Sequence, residues 1–168
     1  MTQDAHKNFP NNVRLLVLDF DGVMTDNRVW VDENGKESVV VSRADGLGLA
    51  RLKKTGLEII VLSTEENKVV TARCQKLKLD CKQGVQNKKE VLIGWMEERG
   101  LKADEVVYVG NDINDSECLA LVGTGIAPAD AEPEILATAD WILTRKGGHG
   151  AVREVCDLIL KENHVADN

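Results

Sequence analysis

The feature that most constrains the fold is an alternation of short apolar runs with longer segments of helical character. Residues 13–19, 57–62 and 105–109 read VRLLVLD, LEIIVL and EVVYV. Nearly continuous apolar runs of this length are typical of strands that are covered on both faces, as in a parallel sheet. Because helical segments separate these runs, the sequence predicts an α/β fold with a doubly wound, mostly parallel sheet.

The remaining elements are predicted from periodicity and from turn residues. We expect helices over 45–54, 66–77, 87–99, 115–122, 132–138 and 151–160, and further strands over 80–84, 125–128 and 141–143. One segment departs from the alternation, because two valine-rich arms at 29–31 and 39–41 flank the turn signal Asn34-Gly35. This predicts a β-hairpin directly after the first strand, where an open α/β sheet has its binding crevice.

The length and the charge exclude several classes of protein. A chain of 168 residues suits a single domain over 1–168, with polar, unpatterned and therefore flexible ends at 1–12 and 163–168. The 28 acidic and 21 basic residues give a net charge of -7, which argues against a general surface for nucleic acid or anionic lipid. The sequence has no apolar run of membrane-spanning length and no secretory signal, so we expect a cytoplasmic protein.

The four cysteines are expected to be free thiols. Cys74, Cys81, Cys118 and Cys156 form no C-x-x-C pair and have no histidine close in sequence. Reduced and mostly buried thiols are therefore expected, rather than a zinc site or a redox pair.

The strongest chemical motif follows the first strand, in the sequence DFDGVMTD at 19–26. Asp19 and Asp21 lie two residues apart, so they project from the same side of an extended chain end. Two close carboxylates repel each other unless a proton or a cation separates them, and Mg²⁺ prefers such oxygen ligands. One acid could act as a nucleophile and the other as a general acid and base.

Polar residues also follow the later strands, in an order that suits phosphate chemistry. Ser63 ends the second buried strand, Lys88 opens the helix after the third, and Gly110 to Asp115 (GNDIND) follows the fourth. Taken singly, Ser63 could be a helix cap and Lys88 a solvated surface charge. Together, the strand ends present Asp/Asp, Ser, Lys and Asn/Asp, which would converge at one edge of a doubly wound sheet.

These motifs, in this order, resemble the haloacid dehalogenase superfamily, in the small branch that lacks a cap domain. The resemblance covers about residues 13–160. Within that branch, the hairpin, SRADGLG at 42–48 and GGHGAVRE at 147–154 are similar to phosphatases of eight- and nine-carbon ulosonic acid phosphates. Those enzymes include 3-deoxy-D-manno-octulosonate 8-phosphate phosphatases and sialate-type 9-phosphate phosphatases. The phosphatase-like domain of some acylneuraminate cytidylyltransferases is equally similar.

The resemblance implies a mechanism in which Asp19 forms an aspartyl-phosphate. Asp21 would protonate the leaving sugar oxygen and then activate water. Mg²⁺ would be held by Asp19, by the backbone carbonyl of Asp21 and by either Asn111 or Asp112.

Further roles follow from the same resemblance. Ser63 and Lys88 would hold the phosphoryl oxygens, and Asp115 would orient Lys88 or a metal-bound water. Gly22 and Thr64 are expected to contact the substrate. The family implies a homotetramer, in which the hairpins pack together and cover a neighbour's site and the glycine-rich 147–150 segment can also reach across.

Residues after Ser63 favour a nine-carbon substrate. Octulosonate phosphatases usually have Gly-Arg after the motif hydroxyl, whereas this chain has Thr64-Glu65. Glu65 followed by Arg73 and Lys76 is similar to the nonulosonate 9-phosphate phosphatases, in which the basic pair would meet the sugar carboxylate. Arg73 and Lys76 could equally form a solvated surface pair, and Arg153 could bind the carboxylate or pair with Asp157 one turn on.

One position departs from the family pattern. Many relatives have an aspartate where this chain has Asn111, and an amide oxygen brings no charge to the metal. This motivates a second hypothesis, a weakly active or inactive oligomerisation scaffold for a cytidylyltransferase. A third, a phosphoacceptor signalling domain, is disfavoured because the strand that should carry the acceptor aspartate ends in Ser63.

Overall fold

The sheet and the helices that cover it account for most of the chain. The computed structural model describes residues 8–163. Six parallel strands lie in the order β5-β4-β1-β6-β7-β8. These strands are β1 (Leu15–Leu18), β4 (Glu58–Leu62), β5 (Asp80–Lys82), β6 (Val106–Val109), β7 (Thr124–Ala127) and β8 (Trp141–Ile142), while β2 (Trp30–Val31) and β3 (Glu37–Ser38) form a separate hairpin.

Six helices connect the strands. They are α1 (Arg43–Lys53), α2 (Lys68–Leu77), α3 (Lys88–Arg99), α4 (Ser116–Leu121), α5 (Pro133–Thr138) and α6 (Ala151–Glu162). Side-chain caps define where the first three helices begin. Ser42, Asn67 and Asn87 each accept a hydrogen bond from a backbone N–H group in the first turn of α1, α2 and α3, respectively. None of the described helices is long and apolar enough to cross a membrane.

The helices divide between the two faces of the sheet, as the alternation predicts. Leu16 and Leu18 of β1 point into a core shared with α1, α2 and α6, whereas Leu15 and Val17 point into a second core with α3, α4 and α5. Successive side chains of a strand face opposite sides, so a strand buried on both faces must be apolar throughout. The predicted doubly wound α/β sheet is confirmed, and residues 8–163 contain no inserted cap domain.

The hairpin returns earlier than the sequence predicts. Trp30 pairs with Ser38, so the second strand is not the valine-rich arm 39–41. The carboxylate of Asp32 accepts hydrogen bonds from the N–H groups of Asn34 and Lys36, which tightens the turn and shortens the loop. Val41 instead forms an isolated antiparallel bridge with Thr25.

Part of the N-terminal segment predicted to be flexible is packed onto the fold. Phe9 is only 8% exposed and meets Trp141 edge to face, with 5.4 Å between ring centroids. At the other end, the Asn163 side chain donates to the Val13 carbonyl and accepts from the Val13 N–H. Residues 1–7 and 164–168 of the predicted flexible ends lie outside the described residues.

Three of the four thiols are buried and Cys81 is partly buried, and all four are free, as predicted. Burial raises the pKa of the Cys74 and Cys118 thiols to about 12, so both remain protonated at neutral pH.

Candidate active site

The carboxyl ends of the central strands bring the predicted residues together. Asp19 continues β1, and its N–H donates to the Val109 carbonyl; Ser63 continues β4, and its N–H donates to the Lys82 carbonyl. A small cavity of about 80 Å³ opens at this edge. It is lined by Asp19, Asp21, Asn27, Ser63, Thr64, Asn111, Asp112 and Asn114.

A buried charge cluster lies against this cavity. The ammonium of Lys88, 2% exposed, donates to Asp19 Oδ1 and to Asp115 Oδ1, both at 2.8 Å. Lys88 begins α3, 69 residues from Asp19 in sequence, so only the fold creates this contact. A buried carboxylate pair with one ammonium between them is stable only because each charge has a partner.

Asp115 is fully buried and has the most complete set of donors. Its Oδ1 also accepts from the Tyr108 hydroxyl at 2.6 Å, and its Oδ2 accepts from the N–H groups of Asn111 at 3.0 Å and Asp112 at 3.4 Å. Gly110 permits this arrangement, since a Cβ there would lie 2.5 Å from that of Asp115. Asp115 therefore orients Lys88, one of the two roles that the family resemblance implies.

Burial and charge shift the pKa values of the two motif carboxylates. Burial and the Asp115 carboxylate raise the pKa of Asp19 to about 8, against the opposing effect of Lys88. Burial, then Glu65 and Glu37, raise the pKa of Asp21. The pKa of Lys88 is lowered by burial but raised further by Asp19 and Asp115, so the ammonium stays charged.

The distances around Asn111 indicate whether a cation could fit at this edge of the sheet. One terminal atom of its side-chain amide lies 3.1 Å from Asp19 Oδ2 and 2.8 Å from the Asp21 carbonyl oxygen. As nitrogen this atom donates to both oxygens, and an amide rotated by half a turn would present its oxygen there instead. Neighbouring ligands of an octahedral Mg²⁺ ion lie about 2.9 Å apart, so this spacing fits. The residues described include no cluster of three His, Cys, Asp or Glu ligands.

Comparison with known proteins identifies the family. A model of the haloacid dehalogenase-like hydrolase family matches residues 48–155. A 3-deoxy-D-manno-octulosonate 8-phosphate phosphatase of Escherichia coli K12 is 36% identical over 150 residues, which cover 89% of this chain and 80% of that protein. The chain belongs to the haloacid dehalogenase-like hydrolases. The expected family and enzyme class are confirmed.

Solved structures of the family share the fold. A HAD family hydrolase from Streptomyces avermitilis is 47% identical with a TM-score of 0.86, and the match covers 89% of this chain and 86% of that one. The 3-deoxy-D-manno-octulosonate 8-phosphate phosphatase of Moraxella catarrhalis, solved with a magnesium ion, a phosphate ion and the sugar acid, is 31% identical. Its TM-score is 0.88, and the match covers 92% of this chain and 89% of that one.

The residues expected to select the sugar lie in different places. Thr64 lines the cavity, whereas Glu65 is beside it, with its carboxylate accepting from the N–H groups of Glu66 and Asn67. The guanidinium of Arg73 donates to the Ser42 carbonyl at 2.9 Å, and Lys76 is exposed on α2.

Arg153 and Asp112, considered for the sugar carboxylate and for the metal, both make hydrogen bonds within the chain. Arg153 Nε donates to Asp157 Oδ2 at 2.8 Å, which is the i,i+4 pair that the sequence left open. The Asp112 carboxylate accepts from the Ile113 N–H at 2.7 Å and caps the short turn 113–115. The Asn111 amide contacts Asp19, and Asp112 lines the same cavity, so both remain candidates for the metal.

The sequence analysis missed two features that shape the site. Tyr108, the one polar residue inside the valine run that follows Glu105, signalled a buried partner at that position. The buried Thr25 hydroxyl accepts from the N–H groups of Gly22 and Asn27, which fixes the turn after Asp21.

The glycine-rich segment 147–150 packs against the turn that follows Asp21 in its own chain. A Cβ at Gly147 would lie 1.9 Å from the Gly22 carbonyl oxygen, and the Gly148 N–H donates to the Val23 carbonyl. In this structure the two glycines therefore support the local turn, whereas the sequence analysis considered a contact with a neighbouring chain.

Proposed function

We propose that the protein is a magnesium-dependent phosphomonoesterase that hydrolyses a 2-keto-3-deoxy sugar acid phosphate through an aspartyl-phosphate at Asp19. The observation that carries this proposal is the buried contact of Lys88 with both Asp19 and Asp115. This contact puts a positive charge beside Asp19, which, unlike Asp115, also lines a cavity of phosphoryl size.

The reaction would proceed in two displacements. A carboxylate oxygen of Asp19 attacks phosphorus while the bond from phosphorus to the sugar oxygen breaks, and Asp21 gives its proton to that oxygen. Asp21 then takes a proton from water as the water oxygen attacks phosphorus, which frees Asp19 and releases phosphate. The raised pKa of Asp21 suits the acid role, because a proton must be present at the start.

Chain groups around the phosphoryl group have separate tasks. Lys88 neutralises Asp19 and the transferring group, and Ser63 at the end of β4 can donate to a phosphoryl oxygen. Asp19 Oδ2, the Asp21 carbonyl and the Asn111 side-chain oxygen would hold Mg²⁺. The metal would supply positive charge that keeps Asp19 ionised, although its pKa is raised without metal, and that offsets repulsion between Asp19 and an anionic phosphoryl group.

The substrate class rests on the relatives, and its chain length is open between two candidates. The octulosonate 8-phosphate phosphatases of Escherichia coli and Moraxella catarrhalis favour an eight-carbon acid. A nine-carbon sialate-type 9-phosphate is favoured by Thr64-Glu65, because the Glu65 carboxylate lies close enough to Asp21 to raise its pKa and could accept from sugar hydroxyls.

We further propose a homotetramer in which neighbouring hairpins cover the site. The cavity of about 80 Å³ is too small for the sugar, which must extend outside it. Val29, Trp30 and Val31 on the hairpin are exposed, Trp30 by 75%, and would pack between chains. Arg73, Lys76 and Arg153 remain candidates for the sugar carboxylate across such an interface. The free thiols suit a reducing compartment, such as the cytoplasm.

Phosphate release tests the proposal directly. The substrates are 3-deoxy-D-manno-octulosonate 8-phosphate and the 9-phosphates of N-acetylneuraminate and deaminoneuraminate, each with Mg²⁺ and with chelator. We expect magnesium-dependent release that disappears in Asp19→Asn. Preference for one acid decides between the two candidates, whereas no release from any of them would favour the scaffold hypothesis.

A further inference from the structure

The turn after Asp21 is held between two segments that lie far apart in sequence. On one side, Val41 forms an isolated antiparallel bridge with Thr25. On the other side, the Gly148 N–H donates to the Val23 carbonyl at 3.1 Å. Because Asp21 directly precedes this turn, both segments influence where its carboxylate points.

The Asp45 carboxylate joins these two supporting segments. Asp45 follows Val41 closely, in the first turn of α1, and its Oδ1 accepts from the Arg153 N–H in the first turn of α6 at 2.9 Å. The N-cap of α6 is Gly150, which has no side chain that could accept from this turn. Asp45 therefore caps α6 from another helix, 108 residues away in sequence.

The position of Asp45 is fixed by the close approach of α1 to α6. Its own N–H donates to Ser42 Oγ at 3.4 Å, and a Cβ at Gly48 would lie 3.1 Å from Arg153 Cα. The residue is 1% exposed, yet its Oδ2 has no hydrogen-bond partner among the described residues. An unpaired buried oxygen costs stability, so stability alone does not account for an aspartate here.

We propose that Asp45 is a positioning residue for the general acid Asp21. By joining α6 to the segment that carries Val41, it keeps the two supports of the turn at a fixed separation. The turn then holds the Asp21 carboxylate toward the leaving sugar oxygen. This inference rests on the proposed function, and it adds that Asp45, which does not line the cavity, controls protonation of the leaving group.

Two substrates distinguish misplacement of the acid from a general loss of structure. Departure of a sugar oxygen needs a proton, whereas the 4-nitrophenolate released from 4-nitrophenyl phosphate is stable without one. The value of kcat/KM covers departure of the leaving group and not the later hydrolysis of the aspartyl-phosphate. The ratio of kcat/KM for the two substrates, measured on one sample, does not depend on the folded fraction.

Three variants of the full chain supply the comparison. In Asp45→Ala, kcat/KM for the preferred sugar acid phosphate should fall by about tenfold or more, but for 4-nitrophenyl phosphate by less than about threefold. Asp45→Asn keeps an oxygen that can accept from the Arg153 N–H, so both values should stay within about threefold of the unaltered chain. Asn163→Ala removes two hydrogen bonds to Val13 at the far end of α6 and should leave the ratio unchanged.

Hydrogen exchange measures the link between Asp45 and the turn without any substrate. In Asp45→Ala, the Gly148 N–H should exchange at least about tenfold faster relative to the Leu101 N–H, which donates to the Met96 carbonyl at the end of α3. Asp45→Leu fills the buried space but has no acceptor. It supplies both measurements if Asp45→Ala does not fold.

The outcomes separate the role of Asp45 from the proposed function. An equal fall of kcat/KM for both substrates in Asp45→Ala would overturn the role, as would unchanged exchange at Gly148. Asp45→Asn losing as much activity as Asp45→Ala would also contradict it. If the unaltered chain releases no phosphate from the sugar acid phosphates, the proposed function fails, and the role of Asp45 fails with it. An active unaltered chain with an unchanged ratio in Asp45→Ala removes the role of Asp45 alone.

Discussion

At the carboxyl edge of the sheet, charged side chains are buried and share partners; at the amino edge of the same strands, they lie at the surface in simple pairs. Lys88, Asp19 and Asp115 form the buried cluster. At the other edge Arg99 makes a bidentate contact with Glu58, with side chains 27% and 38% exposed. Arg14, 57% exposed, pairs with Glu105.

The larger cavity lies at the amino edge, away from the buried charges. The amino-edge cavity measures about 670 Å³ and the carboxyl-edge cavity about 80 Å³. The larger one is lined by Arg14, Glu58, Arg99 and other surface residues. Burial of charge, and not cavity volume, is therefore our reason for proposing the carboxyl edge as the active site, because buried charges interact more strongly with each other and with a ligand than exposed ones do.

Among substitutions at the two edges of the sheet, the largest effect should be a loss of activity at the carboxyl edge. Asp19→Asn removes the proposed nucleophile but keeps the shape of the side chain, so we expect phosphate release to fall by about a thousandfold or more. Steady-state phosphate release from the preferred sugar acid phosphate measures this. Retention of more than a tenth of the activity would place the nucleophile elsewhere.

Lys88→Met should have the largest effect on stability. It leaves Asp19 and Asp115 buried without their shared ammonium, and breaking a buried ion pair in this way costs roughly 3–5 kcal/mol. Urea denaturation at pH 7 measures the free energy of unfolding. A loss below about 1 kcal/mol would mean that the cluster is less buried than the structure indicates.

A second buried carboxylate, that of Asp45, tests how much hydrogen-bond and charge partners contribute to stability. Asp45 is 1% exposed; its Oδ1 accepts from the Arg153 N–H at 2.9 Å, but its Oδ2 has no hydrogen-bond partner among the described residues. Burial raises its pKa from 3.8 to about 6, although the Arg153 N–H and the charges of Arg73, Arg145 and His149 oppose the shift.

Whether Asp45 raises or lowers stability as pH rises depends on whether the folded or the unfolded chain loses the Asp45 proton first. The unfolded chain releases the Asp45 proton near its ordinary pKa and the folded chain only near pH 6, so stability falls as pH rises through this interval. We expect Asp45→Asn to remove this loss. Its free energy of unfolding should then exceed that of the unaltered chain by up to about 3 kcal/mol at pH 7.5. Unfolding curves at pH 4.5 and 7.5 check this, with the two proteins converging at the lower pH.

Tyr108→Phe should have an intermediate effect. It removes one of the four donors to Asp115, so we expect a loss of about 1–2 kcal/mol in unfolding free energy. Because Asp115 orients Lys88, kcat should fall while the KM for the sugar phosphate changes little. A change confined to KM would show that Tyr108 affects substrate binding instead.

Arg99→Met should have the smallest effect. Its pair with Glu58 is partly solvated, so we expect a loss of less than about 1 kcal/mol and no change in activity. Urea denaturation in the same buffer gives a direct comparison with Lys88→Met. Equal losses in the two variants would contradict the contrast between the edges.

Much of the fold was predictable from local sequence. Runs such as LEIIVL must be buried on both faces, and Gly100 ends α3 in the left-handed conformation that the sequence signalled. The hairpin itself was predicted, but its second strand lies at Glu37–Ser38 and not at 39–41, because hydrogen bonds to the Asp32 side chain tighten the turn. The strand-end positions of Asp19 and Ser63 were predicted correctly, since each directly follows an apolar run.

The sequence by itself determined the alternating sheet, the family and the order of polar residues at the strand ends, because these depend on neighbours along the chain. Only the tertiary structure decided that Lys88 bridges Asp19 and Asp115, that the Asn111 amide contacts Asp19, and that Gly147 packs against the Gly22 carbonyl. These contacts join residues tens of positions apart. Their geometry depends on the path of the whole backbone, and no local pattern encodes it.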